Sequence, residues 1–385
     1  MFVLQKKRVP AAKKNVPHRC AKKNVQARKG RRSLAAPMDG TAQPKAEPQP
    51  NQQQPEPEQG PTNSRADRQP AEEDDGESRT SGGILLRLQV ASDLHLEYRP
   101  AATFEDLIVP SAPVLALLGD IGRVDDETKC AHLRKFLAAA SAAFDAVLFV
   151  PGNHEYYHAA KDVPTRTTLS ALRDACSAAG ENVLLCERQE LHINGVRLLA
   201  TTLWSRIPKP FMREAWRMMQ DFDHIAELNV AKGGEDDDGI LAAWRAYNTL
   251  FETDAEWLRE RLEAASDADT LVVLTHHAPT KDRSSPTGVE AWNGIGRCGC
   301  NATNMSANFS GPLAAWAFGH THWNDDWVEA AHGVRLVSNQ LGEPGETFGA
   351  IEDGTAVGVD NRPYDRALVR EIKQCGEATV VRSVR

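Results

Sequence analysis

The chain has 385 residues, with 45 Lys and Arg against 53 Asp and Glu and a formal net charge of −8. No apolar run approaches the roughly 18–20 residues of a membrane span, and Met1 to Leu4 is followed at once by Lys6-Lys7-Arg8, so neither a transmembrane helix nor a secretory signal is expected. Residues 1–83 hold 16 basic and 10 acidic side chains, which leaves 29 basic and 43 acidic, net −14, for residues 84–385; so acidic a body repels a phosphate backbone and makes nucleic acid a poor substrate.

The chain opens with a basic head, in which residues 1–34 carry 12 Lys or Arg and no Asp or Glu. From Asp39 to Gly83 there is no Val, Ile, Leu, Met, Phe, Trp, Tyr or Cys, and Gln43 to Pro70 is dominated by Gln, Pro and acidic residues. Without apolar surface to offset chain entropy no core forms, so residues 1–83 are expected to be a disordered head and linker, and 84–385 one folded domain. The head is compatible with an organelle transit peptide, a nuclear signal, a nucleic-acid-binding arm, or an extension upstream of Met38 with no role. Seven cysteines, Cys20, Cys130, Cys176, Cys186, Cys298, Cys300 and Cys375, form no regular framework. That fits a reducing compartment and an intracellular, cytoplasmic location unless the head redirects the chain. Cys298-Gly299-Cys300 lacks a second Cys/His pair nearby and reads as a loop detail before it reads as a zinc site.

Beyond residue 84 the patterning predicts strands over 85–91 and 114–118, a helix over about 128–143, a strand over 146–150, a helix over about 165–179 and a short strand over 182–186. Asn194-Gly195 joins two alternating segments, Glu190 to Ile193 and Val196 to Thr201, as a hairpin. A Trp/Met-rich insertion, Trp204 to Val230, has helical spacing over Phe211 to Met219. An acidic Gly-rich loop (Gly233 to Gly239) then leads to an amphipathic helix over about 240–264, with Leu241, Trp244, Tyr247, Leu250 and Phe251 on one stripe. Strands over 271–274 and 314–318 flank a Gly/Asn/Ser loop, and a β region closes the chain. Strand–helix alternation followed by strand pairs suits an α/β fold of two packed sheets flanked by helices.

Five of the apolar runs end in polar motifs: Asp93-Leu94-His95, Gly119-Asp120, Gly152-Asn153-His154-Glu155, Thr275-His276-His277 and Gly319-His320-Thr321-His322. Buried strands that deliver Asp, His and Asn at their C-terminal ends describe an open α/β sheet with its site at the strand tips. Asp-x-His and Gly-Asp are each weak signals, whereas Gly-Asn-His-Glu and Gly-His-Thr-His after a strand are specific, and the ordered set of five leaves little to chance. The donors outnumber the needs of one metal and suit two. Imidazole ligands point to Mn, Fe, Zn or Ni, since an all-oxygen Mg or Ca site would not use them.

In motif order and residue type this set resembles the calcineurin-like metallophosphoesterase superfamily, and the small bacterial-type phosphoesterases in particular, through Gly-Asn-His-Glu-Tyr-Tyr, Thr-Leu-Trp, Thr-His-His-Ala-Pro and Gly-His-Thr-His. The resemblance implies a four-layer αββα sandwich of two mixed sheets with a dimetal site at the strand ends. It implies hydrolysis of a small phosphomonoester or phosphodiester by in-line attack of a metal-bridging hydroxide. Carried over residue by residue, Asp93, His95 and His322 would bind one ion, Asn153, His276 and His320 the other, and Asp120 would bridge them. His154 would be no ligand but the catalytic residue that assists the leaving group or holds the phosphate.

His277 is the alternative to His276, because successive side chains at a strand end point opposite ways. His158 and Asp221-Phe222-Asp223-His224 are compatible either with the cleft rim or with plain surface and capping roles. Protein serine/threonine phosphatases carry a second Asp three residues after Gly-Asp to partner the catalytic His; here Arg123 stands there, with Asp125 and Asp126 just beyond, so the partner of His154 is not given by motif. Asn339-Gln340-Leu341-Gly342-Glu343 departs from the usual Asn-Pro-x-Gly-Tyr, which alters the cleft edge. Two other readings are a non-catalytic binding protein on this fold, opposed by the presence of His154, and a nuclease, opposed by the acidic domain.

Overall fold

Strands β1 (Ile84–Ala91), β2 (Val114–Leu118), β3 (Ala146–Val150) and β4 (Val183–Leu185) are apolar nearly throughout because both of their faces are covered. In this computed structural model, which describes residues 83–229, 237–284, 303–309, 311–345, 363–375 and 378–384, the four run parallel and adjacent. Helices α1 (Phe104–Leu107), α2 (Glu127–Ala143) and α3 (Thr165–Ala179) form the connections between them. Asp126 caps α2 by accepting from the Lys129 N–H.

The second sheet begins with the hairpin β5 (Gln189–Ile193) and β6 (Val196–Thr201). Ile193 pairs with Val196, and Asn194 (φ 50°) and Gly195 (φ 83°) supply the two consecutive left-handed residues that a two-residue turn of this twist demands. An insertion follows, with α4 (Met212–Met218), α5 (Asp221–His224) and the long α6 (Asp237–Glu263). β7 (Thr270–Thr275), β8 (Leu313–Phe318), β9 (Asp326–Val328) and β10 (Arg335–Ser338) complete this sheet in the order β5-β6-β7-β8-β10-β9, with the β6-β7-β8-β10 core parallel. The chain then returns to the first sheet, where β11 (Val369–Cys375) pairs antiparallel with β1 and β12 (Ala378–Val384) with β11.

Alternate residues decide the layers. Leu86, Leu88, Val90, Ala116 and Leu148 of the first sheet meet Leu198, Ala200, Val272, Leu274 and Ala317 of the second in the central core. The opposite faces carry Leu117 and Phe149 against Leu133, Phe136 and Leu172 of α2 and α3, and Val273 and Trp316 against Ala255 and Leu258 of α6. The result is the expected four-layer αββα sandwich of mixed sheets.

The insertion builds its own apolar cluster, in which Trp204, Ile207, Ala215, Phe222, Ile225 and Tyr247 enclose Tyr156 and Tyr157 just beyond the tip of β3. The helical spacing of Phe211 to Met219 is realised as a 3-10 turn, Lys209–Phe211, running into α4. α1 and α5, at four residues each, are too short for any periodicity to announce them. The basic head and linker, all but three residues (237–239) of the acidic loop, and Cys298-Gly299-Cys300 lie outside the described residues. No helix of the described residues is long and apolar enough to cross a membrane.

Phe149 is fully buried between β3 and the helical layer. Phe149→Ala is expected to lower the unfolding free energy by about 3–5 kcal/mol, measured by urea titration. A loss below about 1 kcal/mol would place the stabilising core elsewhere.

Candidate metal centre

The strand tips turn sharply. Among the described residues nine non-glycine positions have a left-handed φ, and five of them are Asp93 (54°), His95 (45°), Asp120 (52°), His320 (71°) and His322 (52°). Each such residue costs about 1–2 kcal/mol in an L-amino acid, so their concentration here reflects what the tips must present. The turns bring Asp93 and His95, two residues apart, into one space, and His320 and His322 likewise. Backbone bonds lace the tips together: the Asp93 N–H donates to Gly119 O (3.0 Å), that of His95 to Asp120 O (2.9 Å) and that of Gly319 to His276 O (2.8 Å). Glycine is required where these loops touch, since a Cβ on Gly152 would collide with the Asp120 carboxylate and one on Gly319 with Ser92 and Asp93.

The donor atoms converge in two groups. In the first, His322 Nε2 lies 3.3 Å from Asp93 Oδ1 and 3.2 Å from His95 Nε2, with Asp120 Oδ2 at 3.9 Å from His95 Nε2. In the second, His276 Nε2 lies 3.0 Å from Asn153 Oδ1, 3.2 Å from His320 Nδ1 and 3.5 Å from Asp120 Oδ1. Ligands at about 2.0–2.2 Å from a shared ion sit about 3–3.5 Å from one another, so both groups, apart from the 3.9 Å between His95 and Asp120, have the edge lengths of a coordination shell. Asp120 offers one oxygen to each. His276 Nδ1 is tied to Leu118 O (2.8 Å) and His95 Nδ1 to Glu97 Oε1 (3.2 Å), which leaves the other nitrogen of each ring facing its group.

The electrostatics call for positive charge. Burial works against it, yet the Asp120 carboxylate raises His276 to about 9, and Asp120 itself is held well below the usual carboxylate range. A site that draws protons onto buried imidazoles is one that a divalent cation would neutralise in their place.

His154 stands beside the two groups. Its backbone N–H donates to Asp120 Oδ1 (2.9 Å), its Nε2 lies 4.0 Å from Asp120 Oδ2 and its Nδ1 meets Glu97 Oε1 at 3.0 Å. Glu97 is the partner that the motifs left unnamed. Burial pushes its carboxyl up, but the His154 and His95 hydrogen bonds hold it down to about 2. The signal was present in Asp93-Leu94-His95-Leu96-Glu97, two residues past a candidate ligand. Asp125, by contrast, is occupied by Arg123 (2.7 Å) and Lys129 (2.9 Å).

Three more residues shape the site. Glu155 is fully buried and accepts from the N–H groups of Asp120, Ile121, Gly122 and Gly152 at 2.5–3.0 Å, clamping the Gly-Asp loop to the Asn-His loop. Gln340 accepts from the His322 N–H (2.5 Å) and donates to Trp323 O (2.9 Å), which is what the altered cleft edge does. Asp221, at the start of α5, is buried against Asn153 and His154. His277 packs its ring on His320 (centroids 3.9 Å) and Trp204 (5.5 Å), and neither of its buried nitrogens has a hydrogen-bond partner among the described residues. His158 turns to Thr168 Oγ1 at 2.9 Å.

The family model of the calcineurin-like phosphoesterases matches residues 86–324. Uncharacterized protein L509 of Acanthamoeba polyphaga mimivirus is 26% identical over 277 residues, which cover 66% of this chain and 90% of that protein. The phosphopantetheinyl hydrolase PptH of Mycobacterium tuberculosis aligns in structure with a TM-score of 0.47 and 20% identity, covering 68% of this chain and 91% of that one.

Glu155→Gln tests the clamp. An amide would set its own N–H groups against two of the four backbone donors, so the unfolding free energy should fall by about 1–3 kcal/mol, read from a chemical melt. Unchanged stability would show that the four bonds hold nothing the chain depends on.

Proposed function

The chain belongs to the calcineurin-like phosphoesterase family, and we propose that residues 84–385 hydrolyse a small phosphorylated substrate, a phosphomonoester or phosphodiester, with residues 1–83 dispensable for the chemistry. The observation that carries this reading is the pair of donor groups sharing Asp120, with His154 held beside them by Glu97. Asp93, His95 and His322 would hold one divalent ion and Asn153, His276 and His320 the other, with Asp120 between. Manganese, iron, zinc and nickel suit these donors. Such ions, when bound, supply the charge that grips a phosphoryl group and activates water.

The protein residues do the rest. Glu97 accepts from His154 Nδ1 and thereby turns Nε2 toward Asp120 and the substrate's leaving oxygen. Although burial opposes it, the carboxylates of Asp120 and Glu97 raise His154 in the ion-free chain, and the Glu97 hydrogen bond would go on favouring a protonated ring once Asp120 is taken up by ions, so the ring is placed to donate a proton to the leaving group. His276 is preferred to His277 because its Nδ1 is anchored on Leu118 O and its Nε2 lies among the donors. Nucleic acid is disfavoured by the net −14 of residues 84–385.

Metal dependence is the first expected outcome. The purified chain should carry about two transition ions, and aryl phosphate hydrolysis should vanish with chelator and return with Mn²⁺. Elemental analysis finding no metal, together with chelator-insensitive activity, would sink the reading.

The second separates proton transfer from metal binding. His154→Ala should retain both ions while the rate falls by on the order of 10²–10⁴. Glu97→Gln should produce a smaller fall, and Asp120→Ala should lose at least one ion. A fully active His154→Ala enzyme contradicts the assignment, and one that loses metal as readily as Asp120→Ala moves His154 into the ligand set.

A further inference from the structure

Asp221 is a carboxylate for which the catalytic reading has no task. It opens α5, at the point where the insertion reaches the metal centre, and is 5% exposed. Its Oδ1 is buried with no hydrogen-bond partner among the described residues. The Asn153 side chain, His154 and Asp120 are near enough to act on its carboxylate. Burial, which it would escape anywhere on the surface, drives its carboxyl up to about 6.

Asn153 is the donor that most needs such a neighbour. Its Oδ1 lies 3.0 Å from His276 Nε2, and its Nδ2 donates to Tyr157 Oη at 3.0 Å. A primary amide has nearly the same shape when its oxygen and nitrogen are exchanged. The exchanged form would aim N–H groups at a cation and be useless as a ligand. Tyr157 Oη marks the Nδ2 side, and with the buried Asp221 carboxylate acting on the same amide, the exchanged form would also set a carbonyl oxygen toward a carboxylate. Tyr157 alone would not enforce the choice, because a phenol can donate as well as accept.

We infer that Asp221 is a positioning residue that holds the Asn153 amide with its oxygen toward the ion shared with His276 and His320, so that the insertion completes a centre the strand tips begin. This rests on the dimetal reading above. Asp221 arrives from outside the strand-end motifs, carried by a helix whose Phe222 is anchored in the same apolar cluster as Trp204 and Tyr157. The insertion thereby also sets the strength of one metal site.

The test is calorimetric titration of the metal-stripped full chain with Mn²⁺, a readout independent of turnover. Asp221→Ala should weaken one of the two sites by about 10–100-fold, the usual effect of removing a ligand's hydrogen-bond partner, and leave the other unchanged. Asp221→Leu keeps the branched shape without the acceptor and should do the same if Ala proves too disruptive to fold. Asp221→Asn retains a carbonyl acceptor and should recover most of the affinity. Asn153→Ala should weaken that same site, and adding Asp221→Leu to it should bring no further loss. Wild-type affinity in the Ala and Leu variants overturns the inference. Additive losses overturn it as well, since Asp221 would then act on the ion by its own charge. A wild-type chain that takes up fewer than two ions defeats the dimetal reading instead.

Discussion

Asp120 is a buried carboxylate at the meeting point of five strand ends, its pKa held well below the usual range, and the surrounding structure is organised to hold its charge. A buried carboxylate is costly unless opposite charge and hydrogen bonds answer it. Here the His154 N–H answers one oxygen, four imidazoles crowd the two donor groups, and Glu155 pins the backbone on either side of the carboxylate. The left-handed turns at Asp93, His95, Asp120, His320 and His322 are the backbone's share of the same arrangement. Parallel strands make this economical, because every tip in the set emerges on the same edge of the sandwich.

The framework was legible because it obeys simple periodicities. Runs such as Val114 to Leu118 are apolar at every position and therefore doubly covered, and Asn194-Gly195 specifies a turn by backbone chirality alone. The donor motifs were legible because they follow those strands directly, so locating a strand end locates the side chain. Glu97 escaped for a different reason, and Asp221 was visible only within a segment compatible with either the cleft rim or a capped loop. Neither sits at a strand end, and a carboxylate's role depends on which nitrogen or amide the fold brings to it across long stretches of chain. His154 and Glu97, 57 residues apart, share no sequence pattern. The resemblance already favoured His276 over His277, and the fold adds a physical reason, since one ring meets Leu118 O and the other packs on Trp204.

Glu97 links two functions that are often discussed apart. One of its oxygens accepts from both His95, in the first donor group, and His154, the proposed proton donor. A shift of either ring is felt by the other through that atom. In the same way Asp221 would connect the second donor group to the insertion, so that each half of the centre is braced by a carboxylate from a different part of the chain.

The pairing of His95 with His322 closes a span of 227 residues. A contact so distant in sequence forms late, because the entropy of the intervening loop must be overcome by packing before the contact can contribute. During synthesis Asp93, His95, Asp120 and Asn153 emerge well before β8 exists to deliver His320 and His322. The nascent chain therefore presents four of the seven donors before their partners exist, and the two donor groups close only when β8 pairs beside β7.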